Sequence, residues 1–314
     1  MARTLRFAQI LAIAALLLTF LVAAMLWRGG RPGGPRPSAV IPPVPGGDVA
    51  ILVGAGDIAE CGDDDDERTA AIVERIPGTV FFPGDAVYPD GTLAEYRDCY
   101  GPSWGRFLDR TRPAPGDHEY ITPGAAGYRE YFGPRAIPRG TTWYSWDERG
   151  WHVIVLDSEC QSVGGCDPAS PQGHWLQADL EASRARCTMA IFHYPRFSSG
   201  FHGDEGAANA APFWDALHAA GAEIVVNGND HDYERFAPQD PAGRADPDRG
   251  IREFVVGTGG ARLRPFLHRP ANSEVRNDRT HGVIRFALRD GGYAWDFIPV
   301  GGESFSDSGS GTCH

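Results

Sequence analysis

The sequence predicts an α/β sandwich, and three observations predict it. Short apolar runs of strand length alternate with segments of helical period over most of the chain. Paired apolar runs joined by a tight turn close the C-terminal part. Polar residues stand directly after several runs, where α/β sheets gather their ligands.

Each element has a local reason. Residues 49–54 form a buried-strand pattern, followed by a helix around 67–75. Residues 79–82 are the next strand. Residues 143–146 and 151–156 make a strand pair, divided by the turn Asp147-Glu148-Arg149-Gly150. Ser170-Pro171 is an N-cap followed by proline at the first helical position, and that helix continues through Trp175, Leu176 and Leu180. Residues 188–192 form a strand. Phe213, Leu217 and Ala220 recur at helical spacing, with Gly221 as the stop. Residues 223–226 and 253–256 are further buried strands. Residues 283–288 and 293–298 flank Asp290-Gly291-Gly292 and read as a hairpin. The chain carries no internal repeat.

Before these elements lies an uncharged run from residue 7 to residue 27, preceded by Arg3 and Arg6. It matches the ~20 residues that cross a bilayer. A cleaved signal has a shorter apolar stretch, typically ~7–15 residues, and Ala23-Ala24-Met25 makes a poor cleavage site. Residues 1–27 are therefore read as a membrane anchor, with a cleaved signal segment as the alternative. Arginines flank both ends, so charge decides little about orientation. Residues 28–47, rich in Pro, Gly and Arg, read as an extended linker. The folded domain is expected at 48–314.

Composition narrows the function classes. With 42% hydrophobic and 22% charged residues, the chain has enough apolar material for one large core or two small ones. A net charge of −12 argues against nucleic acid as the main partner, because phosphate backbones need a basic face. Every basic residue other than histidine is arginine, so no lysine serves as nucleophile or phosphate-loop cation. The six cysteines, Cys61, Cys99, Cys160, Cys166, Cys187 and Cys313, are even in number and lack CxxC spacing. They read as disulfides and point outside the cytoplasm. Cys160 and Cys166 enclose a short Gly-rich loop and are the expected pair; the others stay open.

Five polar clusters follow the apolar runs. They are Asp57; Asp85 with Tyr88 three residues on; Asp117-His118-Glu119; His193; and Asn229-Asp230-His231. Each alone is ordinary turn or rim chemistry. Together they supply carboxylates, imidazoles, a phenol and an amide, a mixed oxygen and nitrogen shell suited to hard and borderline metals.

Gly56-Asp57, Gly84-Asp85-x-x-Tyr88, Gly116-Asp117-His118-Glu119, His193 and Gly228-x-x-His231 resemble the five ordered motifs of calcineurin-like metallophosphoesterases of the purple-acid-phosphatase type. Asp230-His231-Asp232-Tyr233-Glu234-Arg235 is similar to that family's final motif. The resemblance implies a four-layer α/β/β/α sandwich with a metal site at the C-terminal ends of strands, and a catalytic domain at 48–314. It implies two metal ions. Asp57, Tyr88 and His231 would bind the first, Asp85 would bridge, and Asp117, His193 and Asn229 would face the second. A phenolate ligand at neutral pH calls for a strong Lewis acid, so Fe(III) is expected at the first site. The implied reaction is hydrolysis of phosphate monoesters by a metal-activated hydroxide, with His118 and His202 steadying the phosphoryl group and protonating the leaving oxygen. A phosphorylated small molecule is the expected substrate. Glu119 is expected to orient a neighbour.

Two positions depart from the family. Asp117 stands where it has Asn, and Asn229 where it has His. Both fall on the second metal and make that site harder and more oxygen-rich. A divalent ion from the series Mn, Mg, Ca and Zn is expected there, shifted away from zinc. Two other activities remain in view: a phosphodiesterase or nucleotidase using the same metals, and a weakly catalytic surface protein that binds metal or phosphate. Asp63-Asp64-Asp65-Asp66 reads as a solvated lead-in to a helix, and Gly257-Thr258-Gly259-Gly260 as a tight turn beside the metal site. Trp104, Phe107, Trp143 and Trp146 read as core. Arg196, Arg262 and Arg264 are unranked candidates for contacting phosphate.

Overall fold

The computed structural model describes residues 48–314. The expected anchor at 1–27 and linker at 28–47 lie outside the described residues. Among the described residues, no helix is long and apolar enough to cross a membrane.

The chain opens with β1 (Ala50–Gly54), the two-residue β2 (Ala59–Glu60), α1 (Asp65–Val73), β3 (Thr79–Pro83) and the short β4 (Val87–Tyr88). A stretch of short helical turns over residues 93–110 leads to β5 (Thr111–Ala114), α2 (Asp117–Ile121) and α3 (Ala126–Phe132). Then come β6 (Tyr144–Glu148), β7 (Trp151–Val155), α4 (Pro171–Ala182), β8 (Cys187–Ile191), α5 (Ala207–Ala219) and β9 (Ile224–Asn227). The chain continues through β10 (Tyr233–Phe236), β11 (Arg252–Val256), β12 (Ser273–Asn277), β13 (Gly282–Arg289), β14 (Gly292–Pro299) and β15 (Asp307–Thr312).

Two sheets result. One has six strands in the order β15-β14-β13-β1-β3-β5, the other seven in the order β12-β10-β11-β9-β8-β7-β6. β1, β3 and β5 run parallel, as do β7, β8, β9 and β11. Period-two alternation assigns the layers. In β3, Phe81 points between the sheets and meets Phe286, which packs on Phe254 of the other sheet at 5.2 Å. Its neighbour Phe82 points outward, onto Tyr100 and Phe132. In the second sheet, Val153, Met189 and Val226 join the inter-sheet core. Ile154, Ala190 and Val225 pack on Leu176 of α4 and on Phe213, Trp214 and Leu217 of α5. This is the four-layer α/β/β/α sandwich. Each fully buried large apolar side chain contributes about 1.5–3 kcal/mol.

Local signals hold where they were specific. The Ser170 side chain accepts from Gly173 N, and Pro171 opens α4. Three acidic residues, Asp65, Asp66 and Glu67, occupy the first turn of α1, where the helix dipole favours them. Trp104 and Phe107 are core residues; Trp146 is half-buried against the core, and Trp143 is half-exposed and outside it. The expected Cys160–Cys166 bridge is present, with Cys61–Cys99 and Cys187–Cys313. The last ties β8 of one sheet to the residue after β15 of the other.

Candidate metal centre

The C-terminal ends of β1, β3 and β5 in one sheet meet those of β8 and β9 in the other. Asp57, Asp85, Asp117, His193, Asn229 and His231 all follow these ends. Three of them, Asp57, Asp85 and Asn229, sit in left-handed backbone with φ of 57°, 51° and 69°. Such residues are uncommon outside glycine and concentrate where a turn must aim a side chain. Flanking glycines are required by space. A Cβ on Gly84 would enter the His193 ring, and one on Gly116 would reach within 2.2 Å of the Asp85 carboxylate.

The side chains form two clusters joined by Asp85. In the first, the Tyr88 hydroxyl lies 2.8 Å from Asp57 Oδ1, 3.0 Å from Asp85 Oδ2 and 3.1 Å from His231 Nε2. In the second, His193 Nε2 lies 2.9 Å from Asp117 Oδ1 and 3.5 Å from Asp85 Oδ1. The two oxygens of Asp85 thus face different clusters. Asn229 contributes its backbone N–H to Asp57 Oδ2 at 3.1 Å, while its side-chain nitrogen is buried without a partner.

Backbone carbonyls orient the imidazoles. His193 Nδ1 donates to Pro83 O at 2.9 Å, His231 Nδ1 to Arg262 O at 2.8 Å, and His118 Nδ1 to Pro89 O. A carbonyl only accepts, so each Nδ1 carries a proton and Nε2 is the ring nitrogen left for the rest of the site. Glu119 organises the other side. It accepts from the N–H groups of Asp85, Ala86 and Gly116 and from the Tyr96 hydroxyl. It holds the β3 and β5 turns together, as expected of an orienting residue.

The charge balance of the cluster tests whether metals fit. Burial drives Asp85 well above the carboxylate range; Asp117, Glu119 and Asp57 add to this against the opposing charge of His193. Burial, Asp57 and Asp85 likewise push the Tyr88 phenol well up. Burial disfavours a charged His193, yet Asp85, Asp117 and Asp57 outweigh it and hold the ring well above its ordinary value. For Asp117, burial is outweighed by the bond and charge of His193, and its carboxyl falls to about 2. With Nδ1 committed to Pro83, His193 Nε2 faces two carboxylates. That place calls for a positive charge, and a proton or a metal ion supplies it. The unpartnered Asn229 amide is a further group with an open valence; turned over, it presents an oxygen. The donor set fits two cations.

A cleft of about 640 Å³ opens above both clusters, lined among others by Asp85, Tyr88, Asp117, His118, His202, Asn229 and His231. His118 Nε2 is 4.0 Å from both Asp85 and Asp117. His202 binds Glu205 through Nδ1, and its Nε2 is buried without a partner. Sequence reasoning left three arginines unranked, and the structure separates them. Arg262 and Arg264 line the cleft. Arg196 lies over Phe197 and donates to the carbonyls of Ala207 and Pro241. The available signal was position, since Arg262 and Arg264 come two and four residues after the glycine turn 257–260. A Cβ on Gly257 in that turn would come within 2.8 Å of Asp57 Oδ2.

No family model matches the chain. The fold is that of the metallophosphoesterases. A purple acid phosphatase from yellow lupin (Lupinus luteus) seeds superposes with a TM-score of 0.67 at 18% identity, over 84% of this chain and 54% of that one. In sequence, Purple acid phosphatase 21 of Arabidopsis thaliana is 29% identical over 231 residues, 66% of this chain and 49% of the relative. Purple acid phosphatase 1 of Ipomoea batatas is 29% identical over 218 residues, 62% and 45% respectively. The chain spans about half the length of these curated relatives. The resemblance drawn from the five motifs is borne out: the chain is similar to calcineurin-like metallophosphoesterases of the purple-acid-phosphatase type.

Proposed function

We propose that the protein is a metal-dependent phosphomonoesterase acting outside the cytoplasm. One observation carries the reading: Asp85 divides its two oxygens between two donor clusters, as a bridge between two cations requires. In this reading Asp57, Tyr88 and His231 hold the first ion, and Asp117, His193 and Asn229 the second. Ions held there would supply Lewis acidity, drawing charge off phosphoryl oxygens and acidifying water. Tyr88 has a buried phenol between two carboxylates, so a trivalent ion such as Fe(III) suits the first site. The oxygen-rich second set suits a divalent ion, Mn, Mg or Ca before Zn.

The remaining residues position and protonate. Glu119 fixes the backbone of Asp85 and Gly116 and thereby the separation of the clusters. His118, anchored through Nδ1, presents Nε2 beside Asp85 and Asp117, where its imidazolium form can donate to a leaving oxygen. His202 keeps Nδ1 on Glu205 and leaves Nε2 for a phosphoryl oxygen. Three disulfides support an oxidising compartment, and residues 1–27 would anchor the domain to a membrane or direct its secretion.

The test is hydrolysis of 4-nitrophenyl phosphate and bis(4-nitrophenyl) phosphate by the wild type and by Asp85→Ala. Metal-dependent turnover of the monoester is expected. Asp85→Ala should lower it by at least about 1,000-fold, the scale of losing a charge-stabilising group. Turnover of the diester alone would replace this reading with a phosphodiesterase. No metal-dependent turnover would leave a surface metal- or phosphate-binding protein.

A further inference from the structure

The cleft is larger than a phosphoryl group and two cations need, and its outer wall has a chemistry of its own. Phe201 is 47% exposed. Among the described residues it is the large exposed apolar side chain that lines the cleft; Ile121 and Leu267 are exposed elsewhere. An unbroken series of contacts leads outward from the first cluster. The rings of His231 and His202 are stacked at 5.9 Å, those of His202 and Phe201 meet at 5.6 Å, and the Arg264 guanidinium lies 5.1 Å from the Phe201 centroid.

The segment bearing the arginines is tied to the cluster. Arg264 N donates to His231 O at 3.0 Å, and Arg262 O accepts from His231 Nδ1. Their guanidinium groups are not otherwise engaged. Among the described residues neither forms an ion pair, and Arg264 Nε is buried without a hydrogen-bond partner. This is unusual in a chain of net charge −12. Arg235, by contrast, is held by Asp307 and Glu274, and Arg252 by Glu274. Two carboxylates share the rim. Glu205 is occupied by His202, and Glu60 accepts from the backbone of Arg262.

We propose that this outer wall is a leaving-group subsite that selects planar phosphoesters bearing a second anionic group. Phe201 stacks the planar part, and Arg264 with Arg262 pairs with the second anion, a carboxylate or a second phosphoryl group. The inference rests on the phosphoesterase reading for the inner site, and it concerns only what the cleft prefers to hold.

Non-hydrolysable ligands separate the two ideas. Calorimetric titration of the metal-loaded protein would compare methylphosphonate, phenylphosphonate, 3- and 4-carboxyphenylphosphonate and 1,4-phenylenebisphosphonate. The better doubly anionic ligand should bind about ten-fold tighter than phenylphosphonate, the scale of one charge-assisted hydrogen bond. That ratio should shrink in high salt. It should fall to within about two-fold in Arg264→Gln and drop part-way in the exposed Arg262→Gln, a second variant with little folding risk. Phe201→Ala should weaken phenylphosphonate relative to methylphosphonate. The carboxylate and bisphosphonate arms tell the two anions apart. A wild-type ratio near one, or a ratio that survives both arginine variants, overturns the subsite. Failure to hydrolyse phenyl phosphate with the ratio intact overturns the hydrolase reading and leaves the subsite standing.

Discussion

The two halves of the proposed metal centre are built differently. In the first, Asp57, Tyr88 and His231 are all buried, and one hydroxyl touches every partner at 2.8–3.1 Å. In the second, His193 is buried, but the Asp117 side chain is 36% exposed and the Asn229 amide nitrogen has no partner. The first half is saturated by its own members. The second keeps open valences. Both positions that depart from the family pattern, Asp117 and Asn229, fall on that second half. A site closed by mutual contacts loses several bonds when one member changes. A half-open site changes its preference for a metal without undoing its neighbour.

The comparison can be broken first at Tyr88. Tyr88→Phe removes the hydroxyl at the centre of the closed half. Iron content and any phenolate absorption band should vanish, and kcat should fall by at least about 100-fold. An iron-loaded variant with an unchanged visible spectrum would show that the phenol is not a ligand. The open half is tested by the double change Asp117→Asn with Asn229→His. Preference for zinc over manganese should rise by about ten-fold, read by metal analysis beside rates in each metal. Unchanged metal content and rate would remove both residues from the ligand set.

A smaller effect comes from a carboxylate in neither cluster. Burial raises Glu223 from an ordinary 4.5 to about 7, against pull from the backbone N–H groups it accepts, including Thr188 N at 2.6 Å. His314 Nδ1 is 3.9 Å away. The folded state therefore holds this proton where the unfolded chain has lost it. The stability contribution is full below pH 4.5, falls as the pH rises to about 7, and is constant above that. Glu223→Gln should stabilise the protein by roughly 2 kcal/mol above pH 7 and by little below pH 4.5, read by urea unfolding at the two pH values. An equal effect at both would mean that folding does not raise the Glu223 carboxyl.

Much of this was legible in the sequence because it depends on local spacing. The five motifs follow strand ends, and the Ser170-Pro171 start and the Asp290–Gly292 turn are short-range signals. What escaped is non-local. β15 reads Asp-Ser-Gly-Ser-Gly-Thr and has no apolar residue to announce a strand. Its glycines are needed because Trp295 and Tyr293 of β14 lie across them; a Cβ on Gly309 or Gly311 would meet those rings at 2.4 Å. β10 was hidden inside the last motif, and its Tyr233 and Arg235 are satisfied by Asp307, 72 or more residues away. The helical turns of residues 93–110 are short, and they are fixed by packing, Tyr100 against Phe82 of β3, rather than by a sustained period. Within the site, Glu119 could be named as orienting, but its four donors come from three separate segments. The rim arginines needed the path of the chain back over His231 to gain meaning.

The left-handed backbone at Asp57, Asp85 and Asn229 sets folding and chemistry against each other at three mapped positions. Glycine at any of them would relieve conformational cost of about 1 kcal/mol while deleting a proposed ligand. A laboratory search for heat-resistant variants that scored folding alone would thus be drawn toward the proposed metal centre and would empty it. A durable version of this protein has to be selected for survival and turnover together, with stabilising changes taken from the helices and sheet edges instead.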